Sequence, residues 1–283
     1  MPGRGSLGPM RIAFIGTGNM GGALLEGVLA AGQSPDDVHA TAGSRSTAED
    51  LAARLGVHAH AVEEDPQANE AAVRGAGLVF VGVKPWMLAD TAAAVAPALE
   101  PDAVVVSMAA GVDLDTLAAL FPGRPVVRIM PNTPSSLGAG VIALAATAEV
   151  PAGTVEQLTS LLAGAGLVVP IAEADMPTMI GASASGVAFF FQLAEHMVAA
   201  AAAQGLDEDT ARRVVAATAA GAGRLLEQRP DPAGLREAVT SRGGTTAAGL
   251  ASFEAAGLGE TVARAVQAAG DRGLEMEAEN RGE

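Results

Sequence analysis

The apolar positions of the first part of the chain fall into short runs that alternate with helix-like patterns. Residues 11–15 form an apolar run that ends at Gly16, and such runs are typical of strands buried in a parallel sheet. Residues 22–31 repeat apolar side chains at helical spacing and stop at Gly32. The same alternation predicts further strands near residues 38–41, 78–83, 103–107, 125–130, 141–145 and 168–171. Strands that alternate with helices and end in Gly, Pro and Ser loops predict a doubly wound parallel sheet.

From about residue 174 the alternation stops and the pattern becomes all-helical. The spacing predicts helices over residues 182–204, 207–229, 232–239, 245–256 and 258–279. These Ala-rich segments carry apolar side chains on more than one side, so a lone bundle would leave some of them in water. We therefore predict an α/β domain over residues 10–173 and an all-α dimerisation domain over residues 174–283. Residues 1–9 are expected to form a flexible tail.

Composition narrows the possible partners and the compartment. The net charge of −15 and the lack of any Lys/Arg cluster argue against nucleic acid and against an anionic membrane. The chain has no cysteine, which excludes disulfides, thiolate chemistry and Cys-based zinc sites. Its four histidines lack a metal-site spacing, and His58 and His60 are expected in a solvated loop. With no apolar signal-peptide core in the first ten residues, we expect a cytoplasmic protein without a bound metal.

A glycine-rich loop follows the first predicted strand and opens the first predicted helix. In this context, the first glycine allows a tight turn, the second lets the backbone approach a pyrophosphate, and the third lets helix pack on strand. The free N–H groups at the start of the helix then bind the phosphates. The pattern predicts a Rossmann domain with a nicotinamide cofactor held by Gly16, Thr17, Gly18, Asn19, Met20 and Gly21.

The loop after the second predicted strand indicates which cofactor is used. NAD binding usually calls for a carboxylate there to hold the ribose hydroxyls, and residues 41–46 contain none. Ser44 and Arg45 instead suit a 2′-phosphate. The sequence therefore favours NADPH, with NADH as a weaker possibility. The alternative is that Arg45 is simply a solvated loop arginine.

Three more loops end strands on the same edge of the predicted sheet, where ligands of open α/β sheets bind. One of them contains Lys84, the single lysine in a chain with 16 arginines. Because the chain uses arginine at every other basic position, the lysine suggests a position where arginine cannot replace it. A second loop contains an Ala-Ala-Gly segment, and the third is stiffened by two prolines. We expect these loops to line the cofactor cleft through Val83, Lys84, Pro85, Met108, Ala109, Ala110 and Asn132.

A distant segment, residues 239–246, joins two helices of the predicted all-α domain. Its Gly-Gly-Thr-Thr sequence makes a natural helix N-cap, which is a purely structural explanation. The same exposed N–H groups could instead bind a carboxylate, while a Thr hydroxyl bonds a reacting nitrogen. The motif alone leaves both explanations open.

Taken together, these motifs resemble the pyrroline-5-carboxylate reductase family in order and spacing. They are Gly-x-Gly-Asn-Met-Gly, Val-Lys-Pro, Ala-Ala-Gly, Met-Pro-Asn-Thr-Pro and Thr-Ser-x-Gly-Gly-Thr-Thr, and the resemblance runs from Ile12 to about Arg272. It implies a Rossmann domain followed by a helical domain that dimerises by interleaving helices, often into decamers. It also implies NADPH-dependent reduction of 1-pyrroline-5-carboxylate, a cyclic imine that carries a carboxylate, to L-proline.

The resemblance also assigns roles to particular residues. Asn69 resembles the asparagine that binds the cofactor ribose, and Glu173 belongs to the segment that opens the dimerisation domain and is included with the substrate site. Thr246 resembles the threonine that bonds the ring nitrogen of the substrate and is the one catalytic candidate. The substrate loop that it closes consists of Ser241, Gly243, Gly244, Thr245 and Thr246.

Two departures keep alternatives open. Arg242 stands where the family usually has Pro, and Val187 follows Ser183-Ala184-Ser185-Gly186 where the family usually has Pro. Arg242 could strengthen carboxylate binding. It could also mark a paralogue that reduces another cyclic imine or imino acid. A non-catalytic nucleotide-binding relative is a separate alternative. The β-hydroxyacid dehydrogenases share the glycine motif but need a lysine in the second domain, and this chain has no lysine beyond Lys84.

Overall fold

A computed structural model describes residues 10–282 of the chain. The flexible tail predicted for residues 1–9 lies outside the described residues. Eight strands form one sheet in the order β3-β2-β1-β4-β5-β6-β7-β8. All neighbours are parallel except β6 and β7, which pair antiparallel. The strands are β1 Ile12–Ile15, β2 Val38–Ala42, β3 His58–Ala61, β4 Leu78–Val81, β5 Val104–Ser107, β6 Val126–Pro131, β7 Gly140–Ala146 and β8 Gly166–Pro170.

Helices connect the strands and then continue alone to the end of the chain, which confirms the predicted fold class of a Rossmann-type sheet followed by a helical region. Between the strands lie α1 Asn19–Ala30, α2 Arg45–Leu55, α3 Ala68–Val73, α4 Leu88–Val95, α5 Leu114–Leu120 and α6 Ala152–Leu162. After the last strand follow α7 Met176–Met179, α8 Gly186–Ala203, α9 Glu208–Gln228, α10 Pro232–Ala238, α11 Thr245–Ala255 and α12 Leu258–Arg281.

Both faces of the sheet are buried, as the continuous apolar runs predict. Successive residues of a strand point to opposite faces. Ile12 and Phe14 therefore belong to one buried cluster, and Ala13 and Ile15 belong to the cluster on the other face. This burial fixes the register of the central strands, because a slip by one residue would exchange the two faces.

Three elements were not predicted: β3, α6 and the four-residue helix α7. His58 and His60 lie on β3, so their expected placement in a solvated loop is wrong. The strand is only four residues long and lies at the edge of the sheet, where partly exposed polar side chains hide the apolar pattern. Helix α6 was also missed, although Leu158, Leu161 and Leu162 form a buried stripe at helical spacing.

The contacts within the chain define two compact units whose boundaries differ from the domain boundary predicted at residue 173. One compact unit runs to Ala184 and takes in the chain again from Ala268, and the other is Ser185–Gln267. The segment after residue 173 stays with the sheet because Met176 is fully buried in one of its clusters. The end of α12 belongs to the same unit through bonds such as that of Asn280 to Gly111.

The helical unit Ser185–Gln267 leaves large apolar side chains exposed. On α8, Phe190 is 70% exposed and Phe191 is 66% exposed, and Val214 of α9 and Phe253 of α11 are exposed too.

By length and composition alone, Glu173–Ala203 is a segment of the described chain that could cross a membrane.

Candidate functional site

The glycine loop lies at the point of the sheet where the strand order reverses. β1 has β2 on one side and β4 on the other, and ligands of such sheets bind at this switch point. Gly16 adopts a φ of +74°, and a Cβ atom there would come within 2.6 Å of Val83 Cγ1. A side chain is therefore excluded at Gly16 by both conformation and space.

The start of α1 is open for a phosphate. Gly18 precedes the helix, no side chain caps it, and a Cβ added at Gly18 would meet no atom of the chain within 4 Å. The space above Gly18 is thus free for a ligand. Uncapped N–H groups and the helix dipole favour an anion there. These features fit the pyrophosphate of a dinucleotide.

Gly21 is less constrained than its position in the motif suggests. A Cβ atom at Gly21 would make only ordinary contacts with Thr17, the shortest at 3.6 Å. The close approach of α1 occurs instead at Gly27, where a Cβ would lie 2.5 Å from Ala165 Cβ. Gly27 is thus a second close contact of α1, made with the turn before β8, and the packing role of Gly21 stays a prediction.

Thr41 connects the glycine loop to Asn69. The Thr41 hydroxyl accepts a hydrogen bond from Gly16 N at 3.2 Å and donates one to Asn69 Oδ1 at 2.7 Å. The backbone N–H of Thr17 also donates to Thr41 O at 2.7 Å. Asn69 is thereby held beside the loop with its amide nitrogen still available as a donor, as a residue that binds a ribose needs to be.

Ser44 and Arg45 lie at the carboxyl end of β2, at the start of α2. Ser44 is the N-cap residue, and its hydroxyl accepts from Thr47 N. The Arg45 side chain is exposed and forms an ion pair with Glu64, while its backbone N–H donates to Glu63 Oε1 at 2.6 Å. The two glutamates escaped the sequence argument because they follow β3, the strand that was not predicted.

The other strand-end loops lie at the same edge of the sheet. Val83, Lys84 and Pro85 follow β4, and Lys84 is exposed and forms no ion pair with the described residues. Met108 and the buried Ala109 follow β5, ahead of the exposed Ala110. The carboxyl ends of parallel strands meet at one edge, so these residues share it with the glycine loop.

Asn132 uses its side-chain amide for internal bonds. Its Oδ1 accepts from Val141 N at 2.8 Å, and its Nδ2 donates to Ser183 Oγ at 3.2 Å. The residue is buried. In this structure, Asn132 fixes the loop after β6, and its expected contact with the cofactor stays a prediction.

The loop after β5 is also held by the last helix. Asn280 Nδ2 donates to the carbonyl oxygen of Gly111 at 2.6 Å, and Arg281 forms an ion pair with Asp113. Burial raises the pKa of Asp113, but bonds from Thr116 and Arg281 outweigh it and leave that pKa below its usual value. No sequence motif marks Asn280, because its partner is 169 positions away.

Glu173, in the short turn after β8, belongs to an ion-pair cluster with Arg128 of β6 and Glu277 of α12. Its Oε1 lies 2.6 Å from Nη1 of Arg128, and Arg128 Nη2 lies 2.8 Å from Oε1 of Glu277. The Arg128 side chain is 1% exposed. The expected contact of Glu173 with the substrate stays a prediction. The nearby cavity of about 700 Å³ is unsuited to a phosphate because it is lined by the carboxylates of Asp113, Asp115, Glu149, Glu173 and Glu277.

The segment Ser241–Thr246 forms a tight turn at the start of α11. Gly243 has a φ of +72°, and Gly244 N donates to Ser241 O at 3.0 Å. No side chain caps α11, and Thr245 and Thr246 are exposed. Arg242 is exposed and forms no ion pair with the described residues. The helix therefore offers free N–H groups and a nearby guanidinium, a combination that suits a carboxylate.

Each half of the chain matches the model of a known protein family. Residues 173–276 match the family model for pyrroline-5-carboxylate reductase dimerisation. Residues 11–111 match the family model described as NADP oxidoreductase, coenzyme F420-dependent. A pyrroline-5-carboxylate reductase of Pseudomonas aeruginosa is 40% identical to the chain, over 94% of this chain and 96% of the relative.

Solved structures agree with this relationship. The structure of a pyrroline-5-carboxylate reductase from Coxiella burnetii has a TM-score of 0.88 and 30% identity, and the match covers 95% of this chain and 98% of that one. The Plasmodium falciparum pyrroline carboxylate reductase with NADP bound shares the fold, with a TM-score of 0.80 and 23% identity over 95% and 98% of the two chains.

Proposed function

The chain belongs to the pyrroline-5-carboxylate reductase family, and from that premise we propose how its residues reduce 1-pyrroline-5-carboxylate to L-proline with NADPH. The observation that carries the function is the match to this family along 94% of the chain, which includes both the dinucleotide loop and the substrate segment. The alternatives of another imine substrate or of a non-catalytic relative have no observation in their favour.

The carboxyl edge of the sheet is the proposed cofactor site. The uncapped start of α1 beside Gly18 binds the pyrophosphate, Asn69 binds the ribose, and Ser44 and Arg45 bind the 2′-phosphate. The loops with Val83–Pro85, Met108–Ala110 and Asn132 border the nicotinamide. NADPH supplies the hydride that adds to the imine carbon.

The segment Ser241–Thr246 is the proposed substrate site. The free N–H groups at the start of α11 bind the substrate carboxylate, with Ser241, Gly243, Gly244 and Thr245 shaping the turn. Arg242 adds a positive charge where a proline would only stiffen the backbone. Thr246 bonds the ring nitrogen and fixes the orientation of the C=N bond.

The reaction needs no strong side-chain acid. A cyclic imine is basic enough to arrive protonated, so hydride addition to carbon yields the neutral amine directly. The amine then takes its proton from water. The rate therefore depends mainly on orientation and on electrostatic support of the bound substrate.

We also propose that the helical unit joins two copies of the chain, as its family description suggests. The exposed Phe190 and Phe191 on α8 are the core of the proposed contact, and the dimer would be the unit of any decamer. The protein is proposed to work in the cytoplasm, without nucleic acid or membrane. Light scattering tests the proposed contact between copies by comparing Phe190→Asp with Glu156→Gln, an exposed control on α6, outside the helical unit. A smaller particle is expected only for Phe190→Asp, and equal particle sizes would contradict the contact.

The function is tested by incubating the purified chain with NADPH and 1-pyrroline-5-carboxylate. The expected result is equimolar L-proline and NADP⁺, with slower oxidation when the six-membered imine replaces the substrate. A clear preference for the six-membered imine would make the chain a reductase of a different substrate. Tight NADPH binding without turnover on any imine would make it a non-catalytic relative.

A further inference from the structure

Two carboxylates are bound to the groups of Arg45 that would hold a 2′-phosphate. The Arg45 guanidinium is paired with Glu64, and the backbone N–H of Arg45 donates to Glu63 Oε1 at 2.6 Å. Arg45 is the first residue of α2, so this N–H is one of the free donors at the start of the helix. Both groups that would hold the phosphate are thus already bound to glutamates.

The backbone holds these glutamates in place. The chain leaves β3 alongside the end of β2, with Val62 N donating to Ala42 O at 2.9 Å and Glu63 N donating to Gly43 O at 3.3 Å. Glu63 is therefore fixed beside Gly43. A ligand at Arg45 cannot avoid the two side chains without moving them.

The position is the one where doubly wound folds distinguish the two nicotinamide nucleotides. A carboxylate at the end of β2 bonds the ribose hydroxyls of NADH, whereas a nearby arginine accommodates the 2′-phosphate of NADPH. Here the end of β2 contributes the arginine, and the end of β3 contributes the carboxylates. A phosphate monoester adds a charge of about −1.5 to −2 at neutral pH, so the carboxylates repel it.

We propose that Glu63 and Glu64 determine the cofactor selectivity of this reductase by competing with the 2′-phosphate for Arg45 and for the start of α2. They lower the preference for NADPH below what Arg45 alone would give, and Glu63 accepts a hydrogen bond from the ribose hydroxyl of NADH. The inference rests on the proposed placement of the cofactor.

The expected size of the effect follows from exposure. The side chains of Arg45 and Glu64 are 64% and 40% exposed, so their charges are screened by water and salt. Each carboxylate should change the selectivity by about two- to fivefold, which is the range of exposed ion pairs. The effect should shrink as the salt concentration rises.

The experiment compares Glu63→Gln, Glu64→Gln and the double variant with the wild type. The readout is the ratio of kcat/KM for NADPH to kcat/KM for NADH at saturating substrate, together with the two dissociation constants from calorimetry. The ratio is expected to rise in each single variant and further in the double variant, mainly through the KM for NADPH. Asp36→Asn, an exposed residue before the amino end of β2 and thus at the opposite edge of the sheet from Arg45, is the control for net charge and should leave the ratio unchanged.

A ratio that stays at the wild-type value in both single variants, or that rises equally in Asp36→Asn, would overturn the inference. The control separates a local contact from a general change in charge. If the wild type reduces no pyrroline-5-carboxylate, the proposed function fails, while the ratio of dissociation constants still tests the two glutamates.

Discussion

Asn280, near the end of α12, donates a 2.6 Å hydrogen bond from Nδ2 to the carbonyl oxygen of Gly111. Gly111 ends the loop of Met108, Ala109 and Ala110. Its φ of +68° is unfavourable for a residue with a side chain, and a Cβ atom at Gly111 would lie 2.8 Å from Met276 Cβ. The match to the dimerisation family ends at residue 276, so Asn280 lies beyond it. The end of this chain therefore stabilises the loop proposed to border the nicotinamide.

Replacing Asn280 by Ala should weaken cofactor binding more than turnover. The lost bond is one of neutral groups and contributes about 0.5–1.5 kcal/mol. The KM for NADPH should rise about two- to tenfold, by the conversion of that energy, while kcat changes less. The single tryptophan, Trp86, is 77% exposed two positions after Lys84, so its fluorescence provides an independent binding measurement.

Arg272→Gln is the matched control for Asn280→Ala. Arg272 lies on the same helix, and its side chain is exposed and forms ion pairs with Glu275 and Glu279. Equal changes of the NADPH constants in the two variants would show that α12 acts through general stability and not through Gly111.

Thr246→Ala should lower turnover while leaving NADPH affinity nearly unchanged. The proposed bond of its hydroxyl to the ring nitrogen orients the imine, and the loss of a bond to a charged group corresponds to about a tenfold or greater decrease in kcat. Thr246→Ser keeps the hydroxyl and should retain most activity. Thr261→Ala, which removes a hydroxyl bonded to the backbone carbonyl of Gly257 just before α12, is the control. Unchanged turnover in Thr246→Ala would remove Thr246 from the mechanism.

Arg128→Met should destabilise the protein strongly. The variant leaves Glu173 and Glu277 close together without their common cation, and breaking such a buried pair costs about 3 kcal/mol or more. Thermal unfolding should show a lower Tm that is partly restored in Arg128→Met/Glu173→Gln/Glu277→Gln, because the unpaired charges are then gone. A single variant with wild-type Tm would contradict this description of the cluster.

The stability of the sheet edge should fall in mild acid. Partial burial, followed by the positive charges of Arg11, His58 and His60, lowers the pKa of His39 to about 4, against the opposing effect of Asp37. The His39 and His58 rings are stacked with centroids 4.6 Å apart. In the unfolded chain, His39 titrates near its ordinary pKa of about 6.5.

The direction in which stability changes with pH follows from the number of protons that the folded and unfolded states bind. Between about pH 6.5 and pH 4, the unfolded state holds the His39 proton and the folded state does not, so stability is lost as the pH falls through this window. His39→Gln should show a shallower decrease of Tm over the window than the wild type. His196→Gln, on the exposed surface of α8, should follow the wild type. Parallel curves for His39→Gln and the wild type would contradict the prediction.

The central strands and the glycine loop were predictable because their signals are local. A strand buried on both faces, such as Leu78–Val81, is apolar at every position, and Gly16 follows directly after such a strand. Local patterns do not report pairing between distant residues. The edge strand β3, the bond of Asn280 to Gly111 and the glutamates at Arg45 all depend on neighbours that only the fold brings together.

The structure also changes the significance of some predicted residues. Arg45 was predicted to bind the 2′-phosphate, and in the structure its guanidinium is already paired with Glu64. Asn132 was expected to face the cofactor, but both ends of its amide bond the chain itself. The sequence identifies such residues by type and position. Only the three-dimensional structure shows which of their donor and acceptor atoms are already bonded within the chain.

The chain is expected to transfer a hydride from NADPH to the imine carbon of pyrroline-5-carboxylate. This transfer is measured with NADPH that carries deuterium at the transferred position, and the product is analysed by NMR and mass spectrometry. The expected product is L-proline with a single deuterium on its δ carbon, the former imine carbon, and none elsewhere. Proline without deuterium, or NADPH oxidation without proline, would contradict it.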